Sequence, residues 1–185
     1  MTFSHDVEHS LGLVVDLVNT DPTSAGSELL PDQEALRLFV DEQQVSDVGA
    51  ITKSDLQAVR ALRPRFRELF DASDTTTAAT LVNSLLKGAR LCPSLTNHDG
   101  YDWHMHYFAP GSSVAEHLLI DGGMALAFVV VAGEHARLQV CDAPDCERVL
   151  VDLSRNRSKR YCDSRTCGNR LHVAAYRERQ RAAAG

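Results

Sequence analysis

The sequence has few features that would take a protein out of the cytosol. No apolar run approaches the roughly 20 residues of a membrane-spanning helix. The N-terminus, MTFSHDVEHS, has neither the basic start nor the apolar centre of a secretory signal peptide. We therefore expect a cytoplasmic protein whose cysteine thiols stay reduced and free to bind metal.

The signatures of several enzyme classes are also missing. The sequence has no glycine-rich phosphate loop, and no serine or cysteine has an evident histidine base. It has no internal repeat and no low-complexity linker. The lack of a nucleophile with a histidine base predicts that the protein is not an enzyme. A hydrolase or transferase that uses a pocket in the N-terminal part is the alternative from the enzyme class.

Cysteine is scarce, and four of the five cysteines lie within 27 residues. Cys141 pairs with Cys146 and Cys162 with Cys167, with four residues between the members of each pair. Two close pairs on separate turns are typical of a chain that wraps a tetrahedral ion, and four thiolates suit zinc. The alternatives are two disulfides, which a cytosolic setting disfavours, and an iron–sulfur cluster, whose cysteines are usually spaced more tightly and unequally.

A site of four cysteines is closed. Four thiolates fill the tetrahedron, so no position is left for a water molecule that zinc could activate. We therefore expect one structural zinc ion per chain. It would fold a segment of about 30 residues, which is too small to build a core of its own.

This stretch resembles the CGNR zinc-finger family. The resemblance rests on CDAPDC, on SRNRSKRYC and on CGNR at Cys167–Arg170, and it extends from Cys141 to about Arg181. It implies an N-terminal domain called ABATE and a role as a stress-induced bacterial transcription regulator. The chain departs from the family pattern where ERVLVD replaces bulky aromatics and where Tyr161 replaces the usual tryptophan. Both departures affect packing and leave the metal ligands intact.

The net charge of −6 hides an asymmetry between the two ends of the chain. Residues 1–140 carry 9 basic and 19 acidic groups, a net charge of −10, whereas residues 141–185 carry 10 basic and 6 acidic groups, a net charge of +4. Zinc adds two positive charges but ionises four thiols, so the zinc-bound tail falls to about +2. An acidic body with a basic tail indicates that only the tail contacts a polyanion.

The basic groups of the tail lie in the loop SRNRSKR and on a predicted C-terminal helix, where three arginines share one face. Asn169 and Arg170 are residue types that contact adenine and guanine edges, although they could equally cap the helix and brace a thiolate. Gly168 is expected to allow a sharp bend just after a metal ligand. The predicted contacts with double-stranded DNA are Arg155, Arg157, Lys159, Arg160, Asn169, Arg170, Arg177 and Arg181. Recognition of RNA or of a protein by the finger is the alternative.

The chain is predicted to be α+β, mainly helical with one β-hairpin. Residues 1–140 form a helical ABATE-like domain, and residues 141–185 form a treble-clef or ribbon-like zinc finger that ends in a helix. The hairpin lies within residues 89–108, and Pro64 should kink or split its helix. The nearly apolar helix at 112–132 should be the buried hub of the core. The predicted helices of the domain cover residues 11–20, 31–44, 52–70, 75–87 and 112–132, with a short one near 134–139.

Polar residues of the N-terminal domain predict a pocket for a small molecule that carries both charge signs. LGLVVDLVNT resembles the motif that opens the ABATE domain, and Arg63 aligns with an arginine that recurs in that family. The predicted ligand-binding residues are Asp16, Asn19, Arg63 and Asn83. An amphipathic helix that Asn19 and Thr20 merely end is the alternative interpretation of the motif.

His104 and His106 lie at i and i+2 on one face of a predicted strand. Exposed strand histidines are the preferred interpretation, because no carboxylate or cysteine close in the sequence completes a metal site. Taken together, the sequence predicts a cytoplasmic, nucleoid-associated transcription regulator. Its finger contacts DNA, and its N-terminal domain senses a small molecule or forms a homodimer.

Overall fold

The computed structural model describes residues 3–45, 48–97 and 103–169, together with 173 and 180. Two antiparallel strand pairs, β1–β2 and β3–β4, accompany the helices, which confirms the predicted α+β class. The elements are α1 (His5–Asn19), α2 (Pro22–Ala25), α3 (Gln33–Glu42), α4 (Lys53–Phe70), α5 (Thr75–Leu86), β1 (Leu91–Thr96), β2 (His104–Phe108), α6 (Val114–Val131), a 3-10 turn (His135–Arg137), β3 (Leu138–Val140), β4 (Val149–Val151) and a π-helical turn (Ser164–Gly168).

Local capping chemistry fixes where the helices begin. Thr52 and Asp55 form a capping box at the start of α4, and Ser113 and Glu116 form another at the start of α6. Helix α1 begins six residues before the predicted segment, because the Ser4 hydroxyl accepts a hydrogen bond from the first turn. Each start is therefore decided by side chains within three residues of it.

Helix α4 runs through Pro64 without a break, so the helix is not split there. Leu62 and Phe66, on either side of the proline, are both buried in the core. Packing on both sides supports the helix through the missing backbone hydrogen bond.

Helix α6 is the hub of the core, as its apolar sequence predicts. It packs against α1, α4, α5 and β2. Leu118, Ile120, Leu126 and Val129 have no exposed surface. By length and composition alone α6 could cross a membrane, with a mean hydropathy of 1.8 over 18 residues, contrary to the expectation that no run is long enough. Its burial in the core accounts for that composition.

The β1–β2 hairpin covers the side of α6 near the start of α1. Thr96 pairs with His104 and Ser94 with His106, and the register shifts between Leu91 and Ser94. Phe108 is buried at the end of β2, with its ring centroid 3.4 Å from that of His117 on α6. The inward face of β2 therefore carries both histidines and Phe108 towards α6.

Two adjacent glycines let neighbouring helices approach α6 closely. A Cβ on Gly122 would lie 2.6 Å from Val14 Cγ2 and 3.0 Å from Phe66 Cζ. A Cβ on Gly123 would lie 2.7 Å from Leu86 Cδ2. The two positions accept α1, α4 and α5 at distances that no larger residue allows without movement. Nothing in the periodicity of the sequence indicated this role.

We expect Gly122→Ala to destabilise the protein by about 1–3 kcal/mol, because the new methyl group overpacks a filled core. Gly12→Ala is the matched control: Gly12 is also helical, but nothing lies within 4 Å of its Cβ position. That control should gain roughly 0.5–1 kcal/mol from helix propensity. Urea unfolding of both variants measures the difference, and equal stabilities would contradict the close helix crossing.

Candidate metal centre and its attachment to the helical domain

The four cysteines of the tail form a cage. The Sγ atoms of Cys141, Cys146, Cys162 and Cys167 all lie within 4.8 Å of one another. Cys146 Sγ is 3.7 Å from Cys162 Sγ, which is 3.8 Å from Cys167 Sγ. A tetrahedral ion with bonds of about 2.3 Å places its sulfurs about 3.8 Å apart, whereas a disulfide needs about 2.05 Å. The geometry fits one zinc ion and leaves the cysteines as free thiols.

Two turns present the ligands, as the paired spacing predicts. Cys141 directly follows β3, and the turn after it closes with a hydrogen bond of 3.0 Å from Cys146 N to Ala143 O. In the second turn, Asp163 Oδ1 accepts hydrogen bonds from Arg165 N and Thr166 N, at 2.6 and 3.2 Å. This carboxylate caps the helical turn that carries Cys167.

Gly168 has a different role from the predicted sharp bend. Its φ is not among the positive values that the structure shows for glycines such as Gly133. A Cβ at this position would instead lie 3.3 Å from Tyr161 Cδ2, which is tight for a side-chain contact. Gly168 therefore gives Tyr161 room to pack against the turn that follows Cys167.

The donor set requires a cation. Burial, followed by hydrogen bonds in which the Cys162 thiol donates to its three neighbouring cysteines, raises the pKa of Cys162 well above its usual range. Four thiolates cannot be held this close in ionised form unless a positive charge lies between them. A divalent zinc ion supplies that charge, and its four sulfur ligands leave no open position, so its role is structural.

The hairpin β3–β4 joins the cage to the helical domain. Its side chains alternate between two sides: Val149 and Val151 belong to the main core, whereas Leu150 packs with Cys141 and Ala143 beside the cage. Leu138 on β3 also belongs to the main core. The finger therefore shares one hydrophobic core with the helices.

A buried carboxylate organises the basic loop between β4 and Cys162. Asp152 has no exposed surface, and its oxygens accept hydrogen bonds from Ser154 N at 2.8 Å and Lys159 N at 3.0 Å. Arg137, also buried, donates to the carbonyl oxygens of Asp152 at 2.6 Å and Ser154 at 3.0 Å. Neither residue is among those predicted from the sequence, although the acid among the hydrophobic residues of ERVLVD was an available signal.

The four cations of this loop are exposed, and two of them have carboxylate partners. Arg157 Nη2 lies 2.8 Å from Glu134 Oε1, and Arg160 Nε lies 2.6 Å from Asp142 Oδ2. Lys159 Nζ donates to a backbone carbonyl, that of Val151, at 3.4 Å. Exposed pairs of this kind contribute little to stability.

The predicted helix that follows the cage is described only in part. Asn169 is exposed at its start. Arg170, Arg177 and Arg181 lie outside the described residues, so their DNA contacts remain predictions.

Comparison with known families assigns both parts of the chain. A model of the CGNR zinc finger matches residues 137–180, and a model of the ABATE family, described as "Putative stress-induced transcription regulator", matches residues 11–138. The chain belongs to the ABATE family. No curated protein matches it. The two matches meet in β3, and the predicted domain limits of 1–140 and 141–185 stay a prediction.

Asn19 fastens the ABATE helices to the CGNR finger. Its Oδ1 accepts a hydrogen bond of 2.8 Å from Val149 N, and its Nδ2 donates one of 3.0 Å to Val149 O. The side-chain amide thus makes both hydrogen bonds that a neighbouring strand would make with one residue of β4. Nearby, Ser24 Oγ donates to Glu147 O at 3.2 Å, and Arg67 Nη2 lies 3.2 Å from Glu147 Oε2.

Arg63 is the centre of a buried hydrogen-bond network within the ABATE domain. Its guanidinium is buried and binds Glu28 with two hydrogen bonds of 2.7 and 2.8 Å, and it also donates to Thr20 O at 3.3 Å. The bond from Arg63 holds the pKa of Glu28 below its usual value. Asp21 Oδ2 also lies 3.5 Å from Arg63 Nε. The anions next to Arg63 in the structure are therefore two carboxylates of the same chain.

Three of the four predicted ligand-binding residues have separate partners within the chain. Asp16 accepts a hydrogen bond of 3.0 Å from Gln43 Nε2, and burial raises its pKa. Asn19 binds β4, Arg63 binds Glu28, and Asn83 is exposed on α5. No hydrogen bond given for the described residues joins any two of the four. Ligand binding by this set stays a prediction, and Asp16, Asn19 and Arg63 each join two parts of the chain.

We expect the purified protein to hold one zinc ion per chain and Cys141→Ser or Cys167→Ser to lose it, because the four ligands form one cage. Cys92→Ser, at an exposed cysteine outside the cage, should keep the metal. Elemental analysis measures the zinc content. Chelation should leave most of the helical circular-dichroism signal, because the helices bury a core of their own. Zinc-free wild-type protein would contradict the assignment.

We expect Asn19→Ala to reduce stability by about 1–3 kcal/mol, because it leaves the N–H and C=O groups of Val149 without their partner. Amide hydrogen exchange at Val149 should accelerate while zinc is retained. Asn83→Ala, on the exposed side of α5, should change stability by less than about 0.5 kcal/mol. Unchanged exchange at Val149 in the Asn19 variant would show that the finger is held by other contacts.

Proposed function

We propose that the protein is a DNA-binding transcription regulator of the bacterial cytoplasm. Its CGNR finger contacts double-stranded DNA, and its ABATE domain senses a small molecule. The observation that carries the DNA proposal is the exposed loop of residues 155–160, which holds four cations beside the metal cage. The family description supports a role in transcription.

The loop is built to present its charges. The two hydrogen bonds to Asp152 and the bond from Ser158 N to Ser154 Oγ, at 3.0 Å, hold its backbone in one shape. A fixed loop loses little conformational entropy when it binds, so the cations can contact a phosphate backbone at low cost. A loop that served only solubility would need no buried carboxylate at its base.

The acidic partners of the loop are expected to limit non-specific binding of polyanions while still allowing contact with DNA. In the structure Arg157 forms an ion pair with Glu134, and Arg160 forms one with Asp142. Phosphate oxygens offer the same acceptor chemistry and can replace these carboxylates. The acidic ABATE domain repels the rest of the duplex, so we expect only the finger to approach it.

Sensing requires a path from the ABATE domain to the finger, and α1 provides one. The helix packs along α6 and ends at Asn19, whose side chain binds the strand next to the cage. A ligand that favours one position of α1 would thereby favour one position of β4. Such coupling needs only that the ligand binds the two positions with different affinity.

DNA affinity should fall steeply with salt, with a slope of about −4 to −5 in log affinity against log salt, if about five phosphates are neutralised. Changing Arg155 and Lys159 together to Ala should reduce the slope by about two and weaken all sequences alike. Arg90→Ala, an exposed arginine on the helical body, is the control and should leave the slope unchanged. Fluorescence anisotropy with duplex DNA at several salt concentrations measures the slope.

Zinc content must be equal in these variants for the comparison to hold. An unchanged slope in the zinc-bound double variant would contradict DNA contact by the loop. The alternative function is an adaptor that binds RNA or another protein through the finger. Single-stranded RNA that displaces the duplex at lower concentration than unlabelled duplex does would favour RNA, and failure of both nucleic acids to bind would favour a protein partner.

A further inference from the structure

A cavity of about 530 Å³ lies at the opposite end of α1 from the finger. The first turns of α1, the residues directly after α3, the strand β2 and one side of α6 line it, and it is open to solvent. Its volume falls within the roughly 300–1,000 Å³ that is usual for small-molecule sites. None of the predicted ligand-binding residues lines it, so it is a site that the sequence did not indicate.

Apart from its five histidines, the described lining of the cavity carries charge of one sign only. Among the described residues that line it, none is Lys or Arg, although the chain has 19 of these residues. Two carboxylates line it: Asp6 on α1 and Asp121 on α6. Asp121 Oδ2 lies 3.3 Å from His117 Nε2, and Asp6 Oδ1 lies 3.9 Å from His5 Nδ1. No side chain with a permanent positive charge opposes the two acids within this lining.

Aromatic and aliphatic side chains form much of the remaining wall. Phe3 lies on one side, and Tyr107 and Phe128 lie on another with their ring centroids 6.4 Å apart. The Tyr107 hydroxyl lies within the electrostatic influence of both carboxylates. Burial raises its pKa most, and the charges of Asp121 and Asp6 raise it further. Both acids therefore act on the same part of the cavity, next to aromatic faces.

We propose that this cavity binds a lipophilic organic cation. The negative faces of aromatic rings and the two carboxylates attract positive charge, and the apolar wall accepts a hydrophobic body. The same wall rejects an organic anion, because no cationic side chain of the lining would pair with it. That such a cation is the effector of the regulator rests on the proposed function, whereas binding itself does not.

Histidines also line the cavity, and they suit this ligand. His104 and His106 project from β2, with their Nε2 atoms 3.1 Å apart, and the ring centroid of His106 is 6.3 Å from that of His117 on α6. Imidazoles add polar contacts and flat faces without a permanent positive charge. Asp6 on α1 and the two histidines of β2 lie on elements that pack against α6, and α6 itself carries Asp121 and His117. An occupant would therefore contact α1 and α6 together.

The test uses two probes of matched shape and opposite charge, tetraphenylphosphonium and tetraphenylborate, each of which has four phenyl groups on one central atom. Isothermal titration of the zinc-bound full chain, without DNA, should show binding of the phosphonium at least about tenfold tighter than binding of the borate. Asp6→Asn and Asp121→Asn should each weaken phosphonium binding by about three- to tenfold. Equal affinities for the two probes, or no binding of either, would overturn the proposal.

Glu8→Gln is the matched control, because Glu8 lies in the same first turn of α1 but does not line the cavity. It should leave phosphonium affinity within about twofold of the wild type, because Glu8 makes no part of the cavity wall and would not contact the probe. If it weakens binding as much as Asp6→Asn, the probe responds to overall charge and the proposal is wrong. Thermal unfolding confirms that each variant is folded. Because no DNA is present, failure of this test leaves the DNA proposal standing.

Discussion

The finger depends on being held from two sides, because it is too small to hold itself. Its hairpin has two strands of three residues each, which cannot bury enough apolar surface to be stable alone. The alternation of side chains along β4 solves this: Val149 and Val151 enter the helical core, and Leu150 packs beside the thiolate cage. Zinc fixes one face of the hairpin and the ABATE helices fix the other.

In this arrangement Asn19, the last residue of α1, also holds the strand β4 in place. A side-chain amide that makes both hydrogen bonds with Val149 fixes the position of β4 along α1 to within one residue. Because the bonds are 2.8 and 3.0 Å long and both end on one residue, a shift of α1 along its axis would break them together. The position of the cage and of the basic loop is thus tied to that of a helix whose other end lines the cavity.

Much of the fold could be predicted from the sequence, because the deciding interactions are local. The helix caps lie within three residues of the helix starts, and the spacing of the cysteines specifies the cage. The remaining features join residues far apart in the chain: Asn19 and Val149 are 130 positions apart, and Arg63 and Glu28 are 35 apart. Helical periodicity can show that such a residue is polar on an apolar face, but it cannot name its partner. The glycines of α6 were missed for a related reason, since only a neighbouring helix reveals the need for a small residue.

The same limit explains why the predicted pocket and the observed cavity differ. Asp16, Asn19 and Arg63 are polar residues near a core, and in the structure each has a partner within the chain, so their charges and amides serve to join elements. A ligand site also needs an open cavity. A cavity forms where helices and strands separate from one another, and a cluster of polar residues in the sequence does not predict where that happens. In this chain α1 and α6 share the core along most of their length, and the cavity opens where the hairpin and the residues directly after α3 meet the first turns of α1. Its wall combines apolar residues with five histidines and two carboxylates that are spread over α1, β2 and α6. No single stretch of the sequence therefore indicates the cavity, although His104 and His106 stand out within β2.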